Sequence, residues 1–268
     1  MTMKYTKDNP LRVVTLFSGY DSQCLALNKL KAVYPQFDYE LVAWCEIDKD
    51  AIAAHNSIYP QWENRNLGDI SKTNVNDIPD CDLMTWSFPC TDISSAGRQA
   101  GLSKDSGTRS SLAWEAIRLF RAKRPKYLLM ENVKALVQRK FIGDFKTILL
   151  ELEGMGYANF SQVLDASKYG VAQHRERVFC VSILRDPKKP EPSFHFPKPF
   201  PLEKRLKDYL EENADEKYYL SDKMLEYFNR VDAEDSLDGE DTSSGNGTVP
   251  GNRVDDNIFM DEEDDMVD

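Results

Sequence analysis

The chain has 268 residues, 41% hydrophobic and 29% charged, a composition typical of a globular protein with one main domain. It contains no run of about 20 apolar residues, and its N-terminus lacks the apolar core of a signal peptide, so we expect no membrane span and a cytoplasmic location. The five cysteines are scattered without a C-x-x-C pair, so neither a disulfide framework nor a metal site is expected.

The negative charge of the chain is concentrated at one end. Residues 231–268 carry fourteen acidic residues and one arginine, a net charge of −13, against a formal charge of −11 for the whole chain. The difference leaves residues 1–230 near neutral, at about +2. The overall acidity therefore does not exclude a nucleic-acid partner, and the tail is predicted to be disordered.

Apolar strands alternate with helical patterns between residues 11 and 185. Because the strands are almost continuously apolar, they indicate a mostly parallel, doubly wound α/β sheet that is buried on both faces. Asp21 or Ser22 could cap the first helix. The predicted strands are 11–19, 40–48, 81–88, 126–133, 157–166 and 178–185, and the predicted helices are 21–33, 49–59, 111–125 and 142–156.

The alternation ends near residue 186. Residues 186–201 are rich in Pro, Lys and Phe and are typical of an extended linker, whereas 202–213 and 221–231 have helical patterns. These features predict a main domain over 1–185, a short linker region over 186–230 and an acidic tail over 231–268.

Residues suited to one ligand follow successive predicted strands. Gly19 would let the backbone approach a ligand, and Glu46 could accept hydrogen bonds from ribose hydroxyls. Asp69 could accept a hydrogen bond from an adenine amino group, while Ile70 makes an apolar contact with the ring. Taken alone, each is better explained as a turn glycine or a surface acid. Their order along a βαβ series favours a common ligand at the carboxyl ends of the strands.

A cysteine and a glutamate end the next two strands. A buried cysteine is usually a small core residue, but Cys90 follows a proline at a strand terminus, over the expected ligand crevice. Glu131 would come from the neighbouring strand, and a carboxyl group beside a thiol is typical of nucleophilic addition with acid assistance. The alternative is that Glu131 caps the following helix.

Two arginines precede the last strand. Arg175 and Arg177 are two residues apart in an extended segment, which would direct both guanidinium groups to one side, toward a phosphate or a carbonyl oxygen. The alternative is a surface ion-pair ladder with Glu176.

In order and approximate spacing, "TLFSG", "WSFPCTDIS", "LLMENV" and "VAQHRERVF" resemble the motifs of DNA (cytosine-5)-methyltransferases over residues 11–184. The resemblance implies a Rossmann-like fold that binds S-adenosyl-L-methionine and transfers its methyl group to C5 of a flipped cytosine. It makes Cys90 the nucleophile that adds to C6, Glu131 the acid at N3, and Arg177, assisted by Arg175, the partner of the base O2.

The same resemblance assigns binding residues and partners. It implies that double-stranded DNA is bound through Ser94, Arg98 and Gln173, with Ser94 in a mobile catalytic loop. A restriction endonuclease, or a second subunit that supplies target recognition, is a candidate partner. The residues that would line the cofactor site are Phe17, Gly19, Glu46, Ile47, Asp69, Ile70, Pro89 and Leu112.

The chain departs from the family pattern at several positions. Tyr20-Asp21 stands where a second glycine is usual, Ser87 replaces a glycine, and Thr91 replaces a glutamine. Residues 250–254 resemble the final G-N-x-V element but lie in the acidic tail, which leaves a short region for target recognition. Two alternatives stay open: an RNA (tRNA) methyltransferase of the same family, and a catalytically silent nucleic-acid-binding homologue.

Overall fold

The computed structural model describes residues 3–89 and 109–237. Within these ranges, every strand and helix predicted between residues 11 and 185 is present, with small shifts of the ends. The strands are β1 (Leu11–Leu16), β2 (Tyr39–Cys45), β3 (Leu83–Trp86), β4 (Tyr127–Val133), β5 (Tyr157–Asp165) and β6 (Glu176–Leu184). The helices are α1 (Ser22–Val33), α2 (Lys49–Ile58), α3 (Ala113–Lys123), α4 (Ile142–Gly154) and α5 (Asp222–Leu237).

The six strands form one sheet in the order β2-β1-β3-β4-β6-β5. The pairs among β1 to β4 are parallel, whereas β6 is antiparallel to both β4 and β5. The predicted mostly parallel sheet is therefore confirmed. Only a short segment without an α-helix joins β5 to β6, and such a connection suits an antiparallel pair because a parallel pair needs a longer crossover.

Helices cover both faces of the sheet. Val13 of β1 belongs to a core cluster with residues of α1 and α2, whereas Val14 and Leu16 belong to a second cluster with residues of α3 and α4. Because successive side chains of a strand point to opposite faces, the two clusters lie on opposite sides of β1. The sheet is thus doubly wound, as the apolar strands predict.

The proline- and phenylalanine-rich segment 186–201 contains neither helix nor strand, as predicted, and it packs on the sheet domain. The Phe194 ring lies 6.1 Å from that of Phe160 in β5. The Phe200 ring contacts Tyr169 edge to face at 6.0 Å, and its backbone N–H donates to the Lys168 carbonyl oxygen at 3.0 Å. The segment is therefore held beside the loop that precedes β6.

Two predictions near the C-terminus were wrong. The predicted helix over 202–213 is only a 3₁₀ turn, Leu206–Tyr209, because its apolar residues find no core and a short helix without packing is marginal. The predicted disorder over 231–237 is replaced by the last residues of α5, since extending an existing helix costs less than starting one.

Contacts among the described residues separate two units, one that ends at Leu210 and one that begins at Glu211. The sequence-based boundary at residue 185 stays a prediction. None of the helices in the described ranges is long and apolar enough to cross a membrane.

Candidate active site

The residues predicted for the site follow strands that end at the same edge of the sheet. Since β1 to β4 run parallel, Gly19 after β1, Glu46 after β2 and Pro89 after β3 lie at their common carboxyl end. Glu131 is close to the end of β4. The fold thus brings these predicted residues to one edge of the sheet, where ligands of doubly wound sheets bind.

The Glu46 carboxylate fastens the loop after β1 to the end of β2. Its Oε2 accepts a hydrogen bond from the Gly19 N–H at 2.9 Å, and its Oε1 accepts from the N–H groups of Ile47 and Asp48 at 2.7 and 2.9 Å. A carboxylate oxygen has more than one acceptor site, so Glu46 retains capacity for ligand hydroxyls. The adjacent Ile47 side chain is 62% exposed and free to contact a ligand.

The loop after β1 has an unusual backbone. Phe17 and Gly19 adopt positive φ angles of 56° and 57°, and Asp21 follows at 65°. A Cβ placed on Gly19 would meet no atom within 4 Å, so the space beside this glycine is open. The Ser18 N–H donates to the Cys45 carbonyl oxygen at 3.1 Å, which ties the loop to β2 a second time.

Asn66 was missed in the sequence analysis and connects two parts of the predicted cofactor site. Its Oδ1 accepts from the Glu46 N–H at 3.2 Å and from the Gly68 N–H at 2.9 Å, and its Nδ2 donates to the Glu46 carbonyl oxygen at 3.1 Å. The turn that leads to Asp69 is therefore fixed beside Glu46. The signal that could have revealed it is an asparagine two residues before a glycine, which is typical of an Asx turn.

Asp69 and Ile70 form the next turn. Hydrogen bonds from the Ser71 hydroxyl at 2.7 Å and the Ser71 N–H at 3.0 Å hold the Asp69 carboxylate and lower its pKa. Asp69 is thus a fixed, ionised acceptor. The Ile70 side chain is only 4% exposed and packs mainly into the core, so little of it is left for a ring contact.

Arg118 of α3, also missed, positions this turn. Its guanidinium donates to the carbonyl oxygens of Ile70 and Thr73 at 3.0 and 3.1 Å and to Glu115 at 2.8 Å. A cavity of about 590 Å³ opens beside it, lined in part by Ser71 and Leu112. Its volume lies within the range of small-molecule pockets, and it places Leu112 next to the Asp69 turn.

Glu131 and Arg177 form an ion pair, with 3.1 Å between Glu131 Oε1 and Arg177 Nε. Both side chains are largely buried, at 30% and 22% exposure. The alternative interpretation pairs Glu176 with the arginines. Instead, both carboxylate oxygens of Glu176 accept hydrogen bonds from Lys134 Nζ, each at 2.9 Å. Arg175 is exposed. Arg177 therefore pairs with the Glu131 carboxylate, and the Glu176 carboxylate pairs with Lys134.

Asn132, the residue after Glu131, links the ends of β3 and β4. Its buried side chain donates to the Phe88 carbonyl oxygen at 3.1 Å. This bond fixes the backbone that enters Pro89, which is partly exposed. The amide of Asn132 therefore sets the starting point of the segment that carries Cys90.

Asp165 organises the loop that leads into β6. It accepts hydrogen bonds from the N–H groups of Ser167 and Arg175 at 3.1 and 3.2 Å and lies 2.7 Å from the His174 ring. Burial raises the pKa of the Asp165 carboxyl, but these contacts outweigh it and bring the pKa to about 2. The exposed side chain of Gln173 lies in this same loop.

Cys90, Ser94, Arg98 and the segment 250–254 lie outside the described residues. The other four cysteines have free thiols, and burial raises the pKa of each: to about 11 for Cys45 and Cys180, to about 12 for Cys81, and higher still for Cys24. None of these four is therefore an ionised nucleophile near neutral pH. Among the described residues, no group of three or more His, Cys, Asp or Glu side chains could hold a metal ion.

Two known methyltransferases are similar to this chain in sequence. The chain is 39% identical over 261 residues to the type II methyltransferase M2.ScrFI of Lactococcus lactis subsp. cremoris, covering 78% of this chain and 70% of that protein. It is 35% identical over 197 residues to the type II methyltransferase M.NlaX of Neisseria lactamica, covering 74% of this chain and 60% of that protein. The chain thus spans between about three fifths and seven tenths of the length of these two relatives.

Solved structures share the fold. A Dnmt2 methyltransferase from S. pombe superposes with a TM-score of 0.61 at 22% identity, covering 82% of this chain and 66% of that one. A DNMT2 variant from Spodoptera frugiperda gives 0.64 at 22% identity, covering 82% and 65%. The model of the family described as "C-5 cytosine-specific DNA methylase" matches residues 11–263 of this chain. The chain therefore belongs to this family.

Proposed function

We propose that this protein methylates C5 of cytosine in double-stranded DNA, with S-adenosyl-L-methionine as the methyl donor. The observation that carries the proposal is the Glu131–Arg177 pair beside the strand end that leads to Cys90. The family membership and the names of the relatives, which are type II methyltransferases, support DNA as the substrate.

The described residues fit the cofactor. Gly19 borders open space, and the Glu46 carboxylate is held in place beside it, which suits a ligand with ribose hydroxyls. S-adenosyl-L-methionine supplies an electrophilic methyl group on a sulfonium. In the proposal, the residues that hold it are Phe17, Gly19, Glu46, Ile47, Asp69, Ile70, Pro89 and Leu112.

The catalytic residues activate the base. Cytosine is a poor electrophile, so attack of the Cys90 thiolate at C6 requires that the negative charge developing on the ring be neutralised. Glu131 would donate a proton to N3, and Arg177, assisted by Arg175, would donate hydrogen bonds to O2. C5 then becomes an enamine carbon that can accept a methyl group. The N3 proton then returns to Glu131, and loss of the C5 proton to water re-forms the C5–C6 double bond and expels the Cys90 thiolate.

The proposal includes the binding of double-stranded DNA. Neither C5 nor C6 is accessible in stacked DNA, so the target cytosine must leave the helix. Gln173 lies in the loop fixed by Asp165, next to the arginines, where it could contact the DNA around the flipped base. Ser94 and Arg98 would contact the DNA from the loop after Cys90. A second subunit that supplies target recognition, or a restriction endonuclease, is a proposed partner.

The test is covalent trapping. The protein is mixed with S-adenosyl-L-methionine and long duplex DNA of varied sequence that contains 5-fluorocytosine, and a denaturation-resistant adduct is sought by gel electrophoresis. Fluorine cannot leave as a cation, so an active enzyme stays attached through Cys90. We expect an adduct that requires the cofactor, disappears in Cys90→Ser and persists in the matched control Cys81→Ser.

Three results would contradict the proposal in different ways. An adduct with 5-fluorocytosine tRNA alone would assign the protein to RNA. Cofactor binding without any adduct would indicate a silent homologue, or a need for a second subunit. An adduct that persists in Cys90→Ser would remove Cys90 from the mechanism.

A further inference from the structure

Asp21 stands in a strained position next to the proposed cofactor site. Its φ of 65° lies in the left-handed region, and it is one of three residues with positive φ between Phe17 and Asp21. Non-glycine residues rarely adopt this conformation, because the Cβ atom approaches the backbone, and they keep it only where the surrounding structure enforces it. A side chain at this position therefore needs an explanation.

Several elements hold Asp21 in place. Its carboxylate accepts a hydrogen bond from the Thr15 hydroxyl of β1 at 2.8 Å and caps α1 through the Cys24 N–H at 3.4 Å. Its carbonyl oxygen accepts from the Tyr59 hydroxyl, at the end of α2, at 3.1 Å. Its own N–H donates to the Ser18 carbonyl oxygen at 2.8 Å. These four contacts reach β1, the loop after it, α1 and the end of α2.

A buried histidine lies behind this carboxylate. His55 of α2 has no exposed surface, and its ring stacks on Trp44 of β2 with 3.7 Å between the centroids. Its Nε2 lies 3.7 Å from Asp21 Oδ2 and is without a hydrogen-bond partner among the described residues. A small shift would complete a hydrogen bond between them. His55 thus gives the Asp21 carboxylate a third polar neighbour, after Thr15 and Cys24.

We propose that Asp21, supported by His55, is a positioning residue that holds the loop Phe17–Tyr20 in the conformation that receives the cofactor. The same loop contains Gly19, whose N–H donates a hydrogen bond to Glu46. A displacement of Asp21 would therefore also displace the residues proposed to hold the ligand. The inference rests on the proposed function. It assigns a purpose to a buried carboxylate at a position with positive φ.

The experiment separates the backbone requirement from the side-chain requirement. Binding of S-adenosylhomocysteine to the full chain is measured by calorimetry without DNA, at a temperature where circular dichroism shows each variant folded. Asp21→Gly tolerates the positive φ but lacks the carboxylate, and we expect its affinity to fall by about 10-fold or more because the loop is misplaced. Asp21→Asn keeps an oxygen acceptor and tolerates the same φ, and we expect it to bind within about threefold of the wild type.

The role of His55 is tested by combining substitutions. His55→Phe keeps a ring against Trp44 and removes both nitrogens. If His55 acts through Asp21, adding His55→Phe to Asp21→Gly causes no further loss of affinity, whereas multiplied losses would remove His55 from the proposal. Asp215→Gly, which removes the side-chain cap of the 3₁₀ turn Glu216–Tyr218, is the control and should leave affinity unchanged.

The outcomes are distinct. A residue that only caps α1 would lower the midpoint of thermal unfolding without changing the affinity of the folded protein. Wild-type affinity in Asp21→Gly, or equal losses in Asp21→Gly and Asp21→Asn, would therefore overturn the inference alone. A wild-type chain that binds neither S-adenosylhomocysteine nor S-adenosyl-L-methionine would overturn the proposed function as well.

Discussion

Glu131 and Arg177 lie diagonally across the antiparallel pair of β4 and β6, with 3.1 Å between Glu131 Oε1 and Arg177 Nε. In the register, Glu131 is opposite Phe179 and Arg177 is opposite Val133, so the two side chains are diagonal neighbours on one face of the sheet. The antiparallel direction of β6 thus brings a carboxyl group and a guanidinium, 46 positions apart in the sequence, to one place.

Glu131→Gln should abolish most of the methyl transfer without affecting cofactor binding. An amide keeps the shape of the side chain but cannot donate a proton to N3, so we expect the rate to fall by about 10²–10⁴-fold. The measurement is incorporation of labelled methyl groups into DNA, together with the affinity for S-adenosylhomocysteine. Glu40→Gln, which breaks a partly buried pair with Arg65, is the matched control and should keep full activity. Full activity in Glu131→Gln would show that Glu131 is not the acid that protonates N3.

Cys90 should be the most reactive thiol of the folded protein. Burial raises the pKa of Cys45 and Cys180 to about 11 and that of Cys81 to about 12, so these residues hold very little thiolate at pH 8. We expect iodoacetamide to alkylate Cys90 about 100-fold faster than any of them, as mapped by mass spectrometry. Rapid labelling that survives Cys90→Ser would be inconsistent with this assignment.

Asp165→Asn should loosen the loop before β6 and change the response to acid. The pKa of about 2 is below the value of about 4 expected in the unfolded chain, so the carboxylate stabilises the fold above pH 4 and loses this effect as the pH falls toward 2. The stability curves of the variant and the wild type should therefore converge near pH 2 and differ at neutral pH.

The same variant should bind DNA more weakly at neutral pH, because Gln173 and Arg175 lose their anchor. Asp186→Asn is a suitable control, since the pKa of Asp186 is also lowered, by the Lys188 N–H, in a turn far along the chain from these residues. Unchanged DNA affinity in Asp165→Asn would show that the loop does not need this carboxylate.

Ending the chain at Leu237, the last residue of α5, should strengthen DNA binding. The deleted residues carry eleven acids and one arginine, and their removal reduces repulsion of the phosphate backbone. We expect the gain in affinity to shrink as salt is added. Weaker cofactor binding would instead mean that residues 250–254 belong to the cofactor site. A chain that ends at Met260 keeps this segment and loses the last acidic run, so it separates the two effects.

Gly170→Ala should destabilise the protein, and Gly143→Ala should not. Gly170 has a φ of 82°, and an added Cβ would lie 3.0 Å from the Phe200 ring, so we expect a loss of about 1–3 kcal/mol in the free energy of unfolding. Gly143, in the first turn of α4, has open space, and alanine there should be neutral or stabilising by up to about 1 kcal/mol. Denaturant unfolding measures both. Equal effects would mean that Phe200 does not pack against the turn in solution.

The sequence by itself determined the elements and the chemistry of the site. Strands 11–19 through 178–185 were predictable because apolar, β-branched runs and helical spacing are local properties of the chain. The residue types at the strand ends were also visible in the sequence. Their meeting at one edge could be predicted because the carboxyl ends of parallel strands lie at the same edge of a sheet. The predictions that failed, over 202–213 and 231–237, concern helices whose existence depends on packing or on extension of a neighbouring helix.

Only the tertiary structure decided which side chains meet. The pairing of Arg177 with Glu131, and of Glu176 with Lys134, depends on the direction and register of β6, which no local pattern encodes. The roles of Asn66, Arg118 and Asn132 were equally hidden, because each binds backbone groups of a distant segment. Asp21 was visible in the sequence as a helix cap, but its contacts with Thr15, Tyr59 and His55 exist only once β1, α1 and α2 are packed together.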